Sequence, residues 1–82
     1  MMSMTLEKHI ELTGPYKGKS KYVFWDLAQA GDTIRIEYTI RALWGKGKPR
    51  IKFINETQGS TFVCGSGQAE NYINKLNYNE LK

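Results

Sequence analysis

Only one cysteine, Cys64, occurs among 82 residues, so no internal disulfide can brace the fold. Secreted domains of this size usually depend on several bridges, and a lone thiol points to a reducing, cytoplasmic setting. Histidine is equally scarce. His9 is the only imidazole, and with Cys64 it makes too few soft ligands for a structural zinc site. No apolar run approaches the roughly 20 residues needed to cross a bilayer, which argues against a membrane partner. The opening Met1-Met2-Ser3-Met4-Thr5 lacks the basic region, apolar stretch and small-residue cleavage site of an export signal. Neither a solenoid-period repeat nor a heptad is present. Catalytic sets fare no better: Cys64 and His9 sit near opposite ends of the chain and nothing marks a third member, so no enzyme and no cofactor is expected.

What is present is a moderately apolar chain, 40% hydrophobic and 12% aromatic, with Lys+Arg 12 against Asp+Glu 8. That hydrophobic content is too high for a disordered chain, and the length leaves room for one core, so residues 1–82 read as a single domain. The charge is unevenly spread. From Tyr16 to Phe53 lie nine bases (Lys17, Lys19, Lys21, Arg35, Arg41, Lys46, Lys48, Arg50, Lys52) and three acids (Asp26, Asp32, Glu37), a window of +6. The rest, Lys8, Lys75 and Lys82 against five glutamates, is at −2. Positive potential concentrated in the central strands and loops is how a polyanion site is built, although a solvated basic face produces the same imbalance.

Periodicity predicts mostly strands. From Thr5 to Thr13, Leu6, Ile10 and Leu12 share one side and Glu7, His9 and Glu11 the other, a half-exposed strand. Lys21 to Asp26 is rich in residues that favour a pleated surface and predicts a second strand. Thr33 to Leu43 alternates cleanly, with Ile34, Ile36, Tyr38, Ile40 and Ala42 opposite Arg35, Glu37, Thr39 and Arg41. Arg50 to Ile54, the loop Asn55-Glu56-Thr57-Gln58-Gly59 and Ser60 to Cys64 read as a hairpin. After Gly65-Ser66-Gly67 the period changes. Ala69, Tyr72, Ile73 and Leu76 follow an amphipathic helical spacing, capped by Ser66 or Gly67, with Glu70 in the first turn and fraying toward Leu81. The expected fold is α+β: a small antiparallel β-sheet or partly open barrel of about five strands with one C-terminal amphipathic helix.

Two segments, Tyr16-Lys17-Gly18-Lys19-Ser20-Lys21-Tyr22 and Trp44-Gly45-Lys46-Gly47-Lys48-Pro49-Arg50, each open on an aromatic ring and set cations around glycines. Gripping a nucleic-acid strand needs that mixture: cations for phosphates, flat rings for unpaired bases, and glycine for close backbone approach. Ordinary hairpin loops use the same residue types. Gly45-Lys46-Gly47-Lys48 lacks the spacing of a nucleotide-binding P-loop. Arg35 and Arg41 project from one face of the long strand, where Glu37 either orients them or pairs with them across strands. Gly65-Ser66-Gly67 reads as a tight turn with a serine cap, and Cys64 as a small buried strand residue.

These residues point to a small non-enzymatic nucleic-acid-binding module, RNA or single strands preferred over closed duplex DNA. Lys17, Lys19, Arg35, Arg41, Lys46, Lys48, Arg50 and Lys52 would meet phosphate, and Tyr16 and Trp44 would stack on bases or sugar. The competing expectation is a small regulator or inhibitor that docks on a protein partner through Trp25 or Trp44, Tyr22 and an exposed sheet edge. A homodimer completed through a strand edge is compatible with either.

Overall fold

The computed structural model describes residues 3–41 and 50–81. Seven elements follow one another: β1 (Ser3–Leu12), α1 (Val23–Asp26), β2 (Thr33–Arg41), β3 (Arg50–Asn55), β4 (Ser60–Gly65), α2 (Ser66–Asn74) and β5 (Tyr78–Leu81). The five strands form one antiparallel sheet in the order β4-β3-β2-β1-β5, so the α+β reading holds. The sheet is open, with β4 and β5 as its two edges, and the barrel alternative does not apply. No described helix is long and apolar enough to cross a membrane.

Register fixes which side chains share a face. Glu7 lies opposite Glu37, Glu37 opposite Lys52, and Lys52 opposite Val63. By the two-residue period, His9, Arg35 and Ile54 belong to the same outer row, while Ile10, Ile34, Ile36, Ile51, Phe53 and Cys64 point to the other side. That inner side is the core, closed by Phe24, Trp25 and Ala28 from the α1 region and by Ala69 and Leu76 from the α2 region. Cys64 is buried there, as its strand position predicts.

Lys21–Asp26, expected as a strand, is instead the edge of a one-turn helix from Val23 to Asp26. The reason is burial. In a strand Phe24 and Trp25 would point to opposite faces, whereas one helical turn puts Phe24, Trp25 and Ala28 on the side facing the sheet and leaves Val23 and Leu27 outside. Trp25 becomes the hub of a ring cluster. It stacks on Tyr72 at 4.6 Å between centroids and meets Phe53 edge-on at 5.0 Å, with Tyr16, Phe24 and Phe62 all within 5.5 Å. Five ring contacts outweigh a local β preference worth at most ~1 kcal/mol per residue.

The carboxyl-terminal helix also departs from expectation. It stops at Asn74 and the chain turns back as β5, which pairs with β1 from Leu12↔Tyr78 to His9↔Leu81. Asparagines at 74, 77 and 79 weaken a helix, and the β1 edge offers Tyr78 a half-buried seat and Glu80 an ion pair with Lys8 at 2.6 Å. At the other end the N-cap is Gly65, with no side-chain cap from Ser66 or Gly67, and Glu70 lies beyond the first turn.

The β3–β4 hairpin forms as predicted. Gly59 takes φ +77, a left-handed turn conformation that costs glycine nothing, and donates its N–H to the Asn55 carbonyl at 2.7 Å. Beneath it, one oxygen of buried Asp32 accepts from Asn55 Nδ2 (2.9 Å), Gln58 Nε2 (2.7 Å) and the Gln29 N–H (3.0 Å). This clamp ties the turn before β2 to the hairpin loop and fixes how the β1–β2 connection crosses the sheet.

Candidate functional site

The basic residues singled out from sequence do not form one surface. The sheet divides them. Arg35, Arg50 and Lys52 stand on its outer face, whereas Tyr16, Lys17 and Lys19 belong to the connection that packs against α2 on the inner side. Arg41 closes β2 with its backbone opposite Ser3; Trp44, Lys46 and Lys48 lie outside the described residues.

On the outer face Arg35 and His9 are answered, whereas exposed Arg50 and Lys52 have no carboxylate within 4 Å among the described residues. Arg35 has Glu37 at 3.6 Å and Glu7 and Glu56 at 3.8 Å each, and His9 lies 3.4 Å from Glu7. Lys52 sits directly across from Glu37, so it does not extend Arg35 into a continuous cationic strip. Glu37 meets Arg35 along β2 itself, and the cross-strand carboxylate at Arg35 is Glu7. This mosaic of both signs is a solvated strand face rather than a polyanion track.

The helix side has a different character. The chain from Tyr16 to Lys21 lies along the end of α2, held by a hydrogen bond from the Lys17 N–H to the Lys75 carbonyl (3.1 Å) and by one from the Thr13 N–H to the Asn77 carbonyl (2.8 Å). Gly18 makes this approach possible. A β-carbon there would fall 2.7 Å from Lys75 Cδ and 2.8 Å from the Tyr16 ring, so glycine lets the Lys75 stem and the Tyr16 ring both approach the backbone in this arrangement. The result is a concavity of about 210 Å³ lined by Tyr16, Lys19, Gln68, Asn71, Tyr72 and Lys75. None of the six is acidic.

Among the described residues, ion pairs within 4 Å involve only Lys8, His9 and Arg35 as cations, so Lys17, Lys19, Lys21 and Lys75 face solvent without a carboxylate partner. Lys21 instead lies 5.8 Å over the Tyr22 ring. Burial pushes the Tyr16 phenol above its ordinary range, helped by Tyr72. Burial does the same to Tyr72, with Tyr22 adding to the rise and a Ser20 hydrogen bond opposing it. Both phenols are therefore neutral O–H donors at physiological pH. Chemically, this side offers ammonium, phenol and amide donors to an anion, and no described group of three or more His, Cys, Asp or Glu side chains could hold a metal.

Sequence reasoning found Tyr16, Lys17 and Lys19 but missed Lys75, which lies in the region counted as slightly acidic. The helical spacing of Gln68, Asn71, Tyr72 and Lys75 along one flank was the available signal. Trp25, named as a docking anchor, is 1% exposed and cannot serve as one. Tyr16 is half-buried against Trp25 and Tyr72, so its ring is part of a cluster rather than a free stacking platform. No protein-family model, no curated protein and no solved structure matches this chain.

Proposed function

We propose that this chain is a small nucleic-acid-binding module, without catalytic activity of its own, that prefers RNA or single strands. One observation carries the reading: Lys19 and Lys75 line a donor-rich concavity on the helix side, Lys17 and Lys21 lie on the same connection, and none of the four has a carboxylate within 4 Å among the described residues. Cations left unpaired on one side of a small domain give the local field that attracts a polyphosphate, and each phosphate neutralised releases counterions. Arg50 and Lys52, both exposed on the opposite face, add to the long-range attraction but not to this surface. Arg41, Trp44, Lys46 and Lys48 remain part of the proposed contact set through their sequence pattern.

The test is fluorescence anisotropy of labelled single- and double-stranded RNA and DNA with nuclease-treated protein across a salt series. The expected result is micromolar or tighter binding whose logarithm falls linearly with log salt, with single strands ahead, and a loss on reversal of Lys19 and Lys75 to Glu. Absence of binding to all four at low salt overturns the reading. A second reading, docking on a protein partner, draws on the exposed apolar strip of Tyr22, Val23 and Leu27 along α1. Val23→Ser with Leu27→Ser would abolish that docking while leaving nucleic-acid binding intact.

A further inference from the structure

We infer that the concavity between the Tyr16–Lys19 connection and α2 is a phosphate-monoester pocket, which takes the terminal phosphate of a nucleic-acid strand or of a free nucleotide. It rests on the nucleic-acid reading only for the strand as the source of that phosphate. The lining carries the chemistry. Lys19 and Lys75 supply two ammonium groups, Tyr16 and Tyr72 two phenols, and Gln68 and Asn71 two amides, with no carboxylate to repel an anion. A phosphate monoester carries about −1.5 to −2 at neutral pH, roughly twice a backbone diester, and two lysines match that charge. Charge-assisted hydrogen bonds from ammonium to phosphate oxygen are the strong class, and neutral phenol and amide donors complete the set.

Size and ring geometry choose a phosphate over a base. About 210 Å³ is below the roughly 300–1,000 Å³ of pockets that enclose a whole small molecule, so a phosphate with part of its sugar enters and the remainder stays outside. The Tyr16 and Tyr72 centroids are 6.0 Å apart at an interplanar angle of 47°, which leaves no slot for a base between them. Trp25 already covers one face of Tyr72, stacked at 13°. The rings therefore contribute their hydroxyls and not their faces.

The site is also pre-organised. Gly18 admits the Lys75 stem beside the Tyr16 ring, and the Lys17 N–H fixes the Lys75 carbonyl, so the cation that would meet the phosphate is held by its own backbone and stem. Less side-chain freedom is lost on binding than for a lysine on an open surface.

Three probes test the inference with the full chain: a short single-stranded RNA with a terminal phosphate, the same RNA with a terminal hydroxyl, and a nucleoside monophosphate. Anisotropy reports the RNAs, and NMR shifts of the Tyr16 and Tyr72 rings report the nucleotide. The phosphorylated RNA should bind about tenfold tighter than its hydroxyl twin. Gly18→Ala should erase that difference while changing binding of the hydroxyl RNA by no more than about twofold, Lys75→Gln should erase it while also weakening the hydroxyl RNA several-fold, and Lys52→Gln should leave the difference intact. Equal binding of the two RNAs overturns the pocket while leaving the module reading in place. Nucleotide-induced shifts at Tyr16 and Tyr72, with no binding of either RNA, uphold the pocket as a free-nucleotide site and overturn the module reading. Silence in every probe overturns both.

Discussion

Replacing Asp32 by Ala should cost about 3 kcal/mol of stability, because one carboxylate oxygen is the shared acceptor for three donors on two separate turns. The donors are not equivalent. Asn55 is fully buried, so its amide, left without Asp32, bears an unpaired-donor penalty of about 1–3 kcal/mol. The Gln58 side-chain amide can turn to water and the part-buried Gln29 backbone N–H belongs to an exposed residue that water reaches, so each loses only the net worth of a hydrogen bond, about 1 kcal/mol. The chain has 82 residues and a total stability of about 4–12 kcal/mol, so the loss would lower the melting temperature by about 12–24 °C. Urea denaturation followed by tryptophan fluorescence should show a lower midpoint at unchanged slope. Asn55→Ala and the double variant complete a cycle whose coupling should be about 1–2 kcal/mol, since each single change strands the other's buried group. A loss below about 1 kcal/mol for Asp32→Ala, or strict additivity in the cycle, would refute the clamp.

Cys64, Tyr16 and Tyr72 all have acid groups raised by burial, so the folded state holds their protons longer than the unfolded chain does. Stability from these groups is complete below the ordinary thiol and phenol ranges and falls as pH climbs through and above them, and Cys64→Ala should soften that fall in urea midpoints taken across alkaline pH. Gly59→Ala meets no atom within 4 Å, so its cost is conformational, about 1 kcal/mol from φ +77 alone, measurable by thermal melts. Arg35→Ala removes the cation among Glu7, Glu37 and Glu56. Its loss, about 1 kcal/mol because the group is a third exposed, should shrink from low to high salt, and RNA affinity should change by less than about twofold.

β1 and β2 were legible because each alternates with a period of two, its large apolar residues on one side and its charged residues on the other. Ile34, Ile36 and Arg35, Glu37 on β2 are the plainest example, alternation also placed β1 and β3 to within a residue or two, and the hairpin loop with Gly59 placed β4. Where the reading failed, a non-local demand overrode a local preference. Val23–Asp26 has strand-forming residues, but Phe24 and Trp25 both had to be buried, and no alternating backbone does that. β5 has no strong signal in Tyr-Asn-Glu-Leu; it is a strand because β1 has a free edge and Lys8 faces Glu80.

The candidate site was half legible for a related reason. Charge counted along the chain does not say which side of a sheet a residue reaches, because a one-residue step reverses the face. Lys52 and Lys19 contribute equally to the +6 window, yet one stands across from Glu37 and the other lines a concavity without acids. What converts net charge into a site is the absence of partners, and that depends on register on one side and on a glycine on the other. Arg35 is answered because β1 and β2 bring Glu7 and Glu37 to it. Lys75 is left available because Gly18 lets the Tyr16–Lys21 connection, a segment without a single acid, close over the end of α2. The lysines of one loop and the C-cap lysine of one helix thus reinforce each other, while Lys8, His9 and Arg35 on the strands are spent on neighbouring glutamates.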